Sequence, residues 1–151
     1  MEASSSKTDS SIRDPVKVRV VLYNSSGQVV LGRTRDGDCK WGLPGGAVEP
    51  NDQGLMAAAQ REVAEETGAR GCHSWQVLYT DEARRTCVCA ARVGLDSKLD
   101  SSQDPDQEFS EIRFFTPDQV AEMGNSAWDD AKDYIEIFFK NKTNWVSACK
   151  K

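Results

Sequence analysis

The chain has little histidine and no paired cysteine motif, and both absences narrow the metal chemistry that it can support. His73 is the only histidine among 151 residues. The five cysteines are Cys39, Cys72, Cys87, Cys89 and Cys149. They lack the paired two-residue spacings that hold zinc, and their odd number argues against a disulfide framework. We therefore expect free thiols in a reducing intracellular compartment, the cytoplasm.

The sequence also lacks an excess of positive charge and any long apolar run. Nineteen Lys and Arg residues stand against 24 Asp and Glu residues, which gives a formal net charge of -5. Affinity for long nucleic acid comes mainly from cationic side chains on phosphates, so we expect no such partner. No segment has the composition of a membrane span or a signal peptide, so we expect no membrane partner either.

The remaining composition is that of one globular domain. Residues 1–14 are rich in Ser and charge and are predicted to form a disordered tail. Residues 15–145 are predicted to form a single domain, followed by a short tail over residues 146–151. We expect a monomer or a homodimer.

Hydrophobic alternation and turn residues predict a mixed α/β order. Residues 18–23 alternate as a strand, residues 24–27 form a turn, and residues 28–35 return as a hairpin. Further strands are expected over residues 41–43, 75–80, 86–93 and 112–115. A short helix is predicted to end near residue 123, and apolar spacing over residues 128–138 predicts an amphipathic terminal helix. This order favours an α/β/α sandwich with a mixed sheet.

A crowded set of carboxylates lies within the segment 53–67, which is predicted to be helical. Glu62, Glu65 and Glu66 are spaced i, i+3 and i+4, so that they would project from one narrow face. Oxygen donors without His or Cys nearby suit magnesium or manganese. Taken alone, such a helix is more often a solvated face. The glycines at positions 45 and 46 favour the metal site, because backbone without a Cβ can approach a metal or phosphate.

These residues resemble the signature box of the Nudix hydrolases. That box runs Gly, five residues, Glu, seven residues, Arg-Glu, an apolar residue, any residue, Glu-Glu, any residue, Gly and an apolar residue. The residues of this chain that match its second half are Arg61, Glu62, Val63, Glu65, Glu66, Gly68 and Ala69. Trp41, residues 43–46 and Glu49 match the strand that leads into the box.

One departure concerns the loop of the box. Fourteen residues separate Gly46 from Arg61, where the family pattern has thirteen. The first Glu of the box would therefore fall on Asp52 or Gln53. In the family that position supports the loop, so an alternative reading is a catalytically weak, nucleotide-binding regulatory module.

The resemblance implies a metal-dependent hydrolase of phosphoanhydride bonds. Arg61, Glu62, Glu65 and Glu66 would form the catalytic set, and the three glutamates with the carbonyl of Gly46 would hold Mg²⁺ or Mn²⁺. The family often supplies a further carboxylate from beyond the box. Glu108 and Glu111 are the candidates for a base or an extra ligand, and Glu111 is the one included in the catalytic set. The candidate substrate contacts are Arg33, Arg35, Arg84 and Arg85.

The substrate is expected to be a small phosphoanhydride, namely a nucleoside or dinucleoside polyphosphate. Few basic clusters are visible, and a diphosphoinositol polyphosphate would need several. The alternative of a diphosphoinositol polyphosphate phosphohydrolase stays open, because Glu49 with Pro50 and Arg85 with Thr86 resemble that branch. Lys17, Arg19 and the pair of arginines at 84 and 85 could also converge across the sheet into a basic pocket.

Overall fold

The computed structural model describes the backbone of residues 15–102 and 104–149, and side chains within these ranges through residue 141. The predicted tail over residues 1–14 lies outside the described residues. The described strands are β1 (Lys17–Tyr23), β2 (Val29–Thr34), β3 (Trp41–Gly42), β4 (Gly45–Ala47), β5 (His73–Asp81), β6 (Thr86–Arg92) and β7 (Phe109–Phe115). The helices are α1 (Leu55–Thr67), α2 (Pro117–Ala121) and α3 (Asp129–Cys149), with a 3-10 turn over Gly124–Ser126. Of the helices described, none combines the length and apolar character needed to cross a bilayer.

The sheet is mixed because its central strand β1 has neighbours of both directions. Strand β1 pairs in parallel with β6 and antiparallel with β4. Strand β2 pairs antiparallel with β1, β3 and β7, and β5 pairs antiparallel with β6. The β1–β4 pairing places Gly45 opposite Arg19 and Gly46 opposite Val18. The glycine loop is thereby fixed to the middle of the sheet.

The alternation of β1 sends its side chains into two separate cores. Val20 and Leu22 pack in a cluster with Val63 of α1. Val21 packs in the other cluster with Phe138 of α3. Because side chains of one strand alternate between faces, each helix covers one face of the sheet. The predicted α/β/α sandwich is confirmed.

Several predicted boundaries differ from the structure. Strand β5 begins at His73 and β7 at Phe109, each before its predicted start. Helix α3 continues to Cys149, past the domain boundary predicted at residue 145. Helix α2 begins with a capping box, in which the Thr116 hydroxyl accepts from the Gln119 N–H and the Gln119 side chain accepts from the Thr116 N–H.

Strand β7 begins earlier than predicted because of the packing of Phe109, which the alternation of apolar and polar residues does not show. Phe109 is 3% exposed, and its ring occupies the space where a Cβ on Gly32 would lie. The glycine on β2 thus makes room for an aromatic ring on the neighbouring strand. Burial of that ring extends β7 toward its N-terminal end and fixes the position of Glu108, which directly precedes it.

The core beneath α3 offers a test of the fold. Phe138 is fully buried, with its ring centroid 4.9 Å from that of Tyr23. We expect Phe138→Ala to lower the free energy of unfolding by about 3–5 kcal/mol, because it removes apolar burial and leaves a cavity. Phe139→Ala is the matched control, since Phe139 is only partly buried and should cost less. Urea unfolding monitored by circular dichroism measures both, and equal losses would contradict this account of the core.

Candidate active site

Helix α1, which carries the candidate carboxylates, ends as the sequence predicts and begins differently. Gly68 has φ 68°, and its N–H donates to the Ala64 carbonyl at 3.2 Å. At the other end the cap residue is Gly54, with φ 105° and no side-chain capping bond. Asp52, which lies two residues before this cap, directs its carboxylate to Arg61.

Glu62 and Glu66 are buried against the glycine loop, with 8% and 1% exposure. The Gly45 N–H donates to Oε1 of Glu66 at 2.8 Å. A Cβ on residue 46 would collide with the Glu62 carboxylate. Gly46 therefore leaves room for the Glu62 carboxylate, whereas Gly45 is required by its φ of 149° and by the Val18 carbonyl of β1, with which a Cβ would collide.

The buried carboxylates are electrostatically strained in the absence of a cation. Burial, hydrogen bonding with Glu108 and the charge of Glu62 together raise the pKa of Glu66 to about 10, although the Gly45 N–H acts to lower it. Burial also raises the pKa of Glu62. Glu66 therefore carries a proton at neutral pH, hydrogen bonded among its carboxylate neighbours. Nearby positive charge would favour release of that proton.

This donor set fits magnesium or manganese, because carboxylate and carbonyl oxygens are the ligands that these ions prefer. In the described part of the chain, no three acidic, His or Cys side chains are already arranged around one ion position. Glu66 instead bonds to its carboxylate neighbours, and Glu65 lies 3.4 Å from Nη1 of Arg61. Glu62, Glu65 and Glu66 remain the predicted ligands.

Arg61 closes the turn that precedes helix α1. Its Nε and Nη2 atoms each lie 2.8 Å from one carboxylate oxygen of Asp52, and Nη2 also donates to the Ala47 carbonyl at 3.2 Å. Asp52 accepts a further bond from the Glu49 N–H at 2.8 Å. Asp52 therefore faces Arg61 in the loop, and the extra residue of the box lies between them.

Arg61 also contacts the carboxylates of its own helix. Its Nη1 atom lies 3.4 Å from both Glu62 and Glu65. The contact with Glu65 is an i, i+4 ion pair along the helix. One guanidinium thus links the loop to two of the candidate ligands, and this fixes their orientation.

Glu108, and not Glu111, contacts the carboxylate cluster, which consists of Glu62, Glu65 and Glu66 of helix α1. Glu111 accepts hydrogen bonds from Nε and Nη2 of Arg113 at 2.7 Å, and its side chain is 40% exposed. Glu108 hydrogen bonds to Glu66. Its N–H donates to Asp104 at 3.0 Å. The structure therefore brings Glu108 to the buried carboxylates and pairs Glu111, the residue predicted for the catalytic set, with Arg113. The position of Glu108 depends on the extended start of β7.

A pocket of about 570 Å³ opens beside the cluster and shares Gly45 and Glu108 with it. Its basic lining residues are Lys17, Arg19, Lys40 and Arg84. Its acidic lining residues are Asp36, Glu108, Asp129 and Asp130, and its aromatic ones are Phe109 and Trp128. Four basic groups thus face four acidic ones. A small molecule in this pocket would have one end at the carboxylate cluster.

The four arginines expected to contact substrate do not converge. Arg84 lines the pocket. Arg33 donates from Nε to the Cys39 carbonyl at 3.4 Å, and Arg35 lines a separate cavity. Arg85 lies in the turn before β6, with φ 49°. Lys17 and Arg19, whose convergence the sequence left open, both line the pocket.

Arg84 is held between the β5–β6 turn and helix α3. Its Nη1 atom lies 3.0 Å from Asp81 and its Nη2 atom 3.2 Å from Asp133. The Tyr134 hydroxyl donates to Asp81 at 2.7 Å. These contacts leave other N–H groups of the guanidinium for the pocket, because arginine has five donors.

The fold and the site together define a class of protein. A helix with buried carboxylates, a double-glycine loop against them and an adjoining polar pocket form the centre of an α/β/α-sandwich hydrolase. The chain belongs to the NUDIX family, since the family model described as NUDIX domain matches residues 13–137. Nudix hydrolases act on phosphoanhydride bonds, and this chain is an enzyme of that class. No curated protein matches the chain.

Solved structures share the fold at low sequence identity. A UDP-X diphosphatase aligns with TM-score 0.65 and 19% identity, over 95% of this chain and 73% of that chain. An Ap4A hydrolase binary complex from C. elegans aligns with TM-score 0.64 and 16% identity, over 85% and 98%. A bifunctional NMN adenylyltransferase/ADP ribose pyrophosphatase from Francisella tularensis, complexed with AMP and Mn ion, aligns with TM-score 0.62 and 18% identity, over 85% and 42%. At these identities the likeness establishes the fold.

The contact between Arg61 and Asp52 predicts a pH-dependent stability. Hydrogen bonds from Arg61 lower the pKa of Asp52 to about 2. Because this value lies below that of an unfolded Asp, the pair stabilises the fold above about pH 4 and loses its effect as the pH falls toward the folded pKa. We expect Asp52→Asn to lower the melting temperature at pH 5–8 and the difference to narrow below pH 4. Glu49→Gln is the control, since Glu49 lies 3.7 Å from Arg61 but is 53% exposed. A difference for Asp52→Asn that is as large at pH 3 as at pH 7 would contradict the pairing.

In metal-free protein, the raised pKa of Glu66 predicts that stability falls as the pH rises, which is the opposite of the trend expected from Asp52. Because its folded pKa is raised, the wild type loses stability as the pH rises between the unfolded and folded values, by about 1.4 kcal/mol per pH unit for one proton. Glu66→Gln stays neutral and keeps an oxygen for the Gly45 N–H. We expect its melting temperature in EDTA to exceed that of the wild type by a margin that grows from pH 5 to pH 9. Glu65→Gln should show no such growth, since Glu65 is 32% exposed and faces Arg61. A constant margin for Glu66→Gln would be evidence against a protonated buried Glu66.

Proposed function

We propose that this chain is a metal-dependent pyrophosphohydrolase that cleaves a phosphoanhydride bond in nucleoside or dinucleoside polyphosphates. The observation that carries the proposal is the position of Glu108. This residue hydrogen bonds to the buried carboxylate of Glu66 and also lines the pocket. A phosphate chain that enters the pocket would therefore end at the carboxylate cluster.

Each acidic residue has a role that follows from its surroundings. Glu62, Glu65 and Glu66, with the carbonyl of Gly46, would hold Mg²⁺ or Mn²⁺. When bound, these ions supply charge neutralisation at the phosphates and lower the pKa of an attacking water. Glu108 would accept a proton from a water near the pocket, since it lines the pocket and contacts Glu66. Arg61 keeps Glu62 and Glu65 oriented through its contacts with both.

The balance of charge in the pocket favours a nucleotide over a densely phosphorylated ring. Arg84 is already engaged by Asp81 and Asp133, and Arg19 has Asp130 at 3.9 Å. Few cations are therefore left to neutralise many phosphates. The names of the similar solved structures, which refer to Ap4A, ADP ribose and UDP-X, agree with a nucleotide substrate.

A substrate panel tests the activity. Nucleoside triphosphates, dinucleoside polyphosphates, sugar nucleotides and diphosphoinositols are incubated with the protein and Mg²⁺ or Mn²⁺, and the phosphorylated products are quantified. We expect the highest kcat/KM on nucleoside or dinucleoside polyphosphates. Glu66→Gln should reduce turnover at least ~100-fold, about 2.7 kcal/mol of transition-state stabilisation, because one ligand charge is lost.

A matched pair of variants distinguishes the role of Glu108 from that of Glu111. Glu108→Gln should impair turnover strongly, whereas Glu111→Gln should retain it, since Glu111 pairs with Arg113 away from the cluster. Near-normal turnover of Glu66→Gln with metal still required would refute the site. A diphosphoinositol preferred tenfold or more would replace the proposed substrate by the alternative one.

A further inference from the structure

Trp128 forms part of the pocket wall, although its spacing in the sequence suggested only the apolar face of a helix. The residue lies directly before α3, and its N–H donates to the Trp41 carbonyl at 2.9 Å. The edge of its indole lies against Gly42, where a Cβ would come 3.0 Å from Cδ1. The backbone bond and the close packing hold the ring in one orientation while it remains only partly buried.

Lys40 covers the indole of Trp128. Its Nζ atom lies 4.8 Å from the ring centroid, which is within the range of a cation–π interaction. Among the described residues, Lys40 has no carboxylate within ion-pair distance. The ammonium is carried on a flexible four-carbon stem, so it can leave the ring and reach a nearby anion at small cost.

We propose that Trp128 and Lys40 form a nucleoside-recognition element, in which the indole stacks on the base and Lys40 pairs with the phosphate chain. This proposal rests on the nucleotide hydrolase function and adds the residues that select a nucleoside. The flat base takes the place of the ammonium over the ring, and the displaced ammonium moves to the phosphates. A ligand without a base has no π-face to offer, so it gains only the second contact.

The size and composition of the pocket agree with this assignment. A volume of about 570 Å³ lies within the usual range for small-molecule sites. Trp128 and Lys40 line the same pocket as Glu108, so a base on Trp128 and a phosphate near Glu66 can belong to one molecule. Stacking is tolerant of base identity because every base has a π-face, so we expect weak discrimination among bases.

Binding of two simple probes separates the two contacts. AMP and ribose 5-phosphate share the sugar phosphate and differ by the base, and each is titrated by calorimetry into the full chain with Mg²⁺. We expect Trp128→Ala to weaken AMP binding about 10- to 100-fold and to leave ribose 5-phosphate binding unchanged. Trp128→Phe should recover most of the loss, and Lys40→Met should weaken both probes by similar factors.

Tyr79→Ala is the control for loss of an aromatic side chain, since Tyr79 is 41% exposed and does not line this pocket. It should leave both affinities unchanged, and circular dichroism confirms that every variant is folded. Equal loss of both probes in Trp128→Ala, or no loss, would overturn the proposal, as would equal affinity of the wild type for AMP and ribose 5-phosphate. If the wild type cleaves nucleotides but Trp128→Ala keeps their KM, this inference alone fails. If the wild type neither binds AMP nor cleaves any nucleotide, the proposed function fails with it.

Discussion

Burial of the Glu66 carboxylate against the Gly45 amide constrains most of what surrounds it. The 2.8 Å bond fixes helix α1 to the loop that pairs with the central strand β1. Only glycine leaves room at positions 45 and 46, and only a helix at this distance presents Glu62 beside the same loop. An ionised carboxylate in such a place is costly unless it is paired, so the need for compensation by a proton or a cation is built into the fold.

This constraint connects folding with ligand binding. A cation that binds the folded cluster and not the unfolded chain would stabilise the fold in proportion to its concentration, by mass action. Its binding would also release protons, since the ligands must be deprotonated. With such a cation bound, the protein would therefore be more stable than in its metal-free form.

The fold follows from the sequence because its signals are local. Alternation in β1, the capping box at Thr116 and Gly68 at the end of α1 each act over a few residues. The site was harder to predict wherever long-range packing decides it. Glu108 reaches the cluster beside the Phe109 ring, which fits against Gly32, and Asp52 meets Arg61 across nine residues of sequence. Neither relation has a local signature.

The residues that line the pocket were also hard to predict from local sequence signals. Lys17 and Arg19 share a face by the period of the strand, so their convergence could be suspected. Trp128 has the spacing of a core residue, and its exposure depends on where the chain enters α3 beside Gly42. Of the arginines near the ends of strands, Arg84 lines the pocket, whereas Arg33 donates to a backbone carbonyl and Arg35 lines another cavity.

The contacts that hold Arg84 affect the geometry of the pocket. Arg84 contacts Asp133 of α3 and also Asp81, which accepts a hydrogen bond from Tyr134 of the same helix. Trp128 directly precedes that helix. Trp128 also donates to the Trp41 carbonyl of β3, and Arg84 lies in the turn between β5 and β6. Two parts of the pocket lining therefore connect α3 to the sheet. The width of the pocket thus depends on how α3 packs on the sheet, so the core that stabilises the fold also sets the size of the cavity.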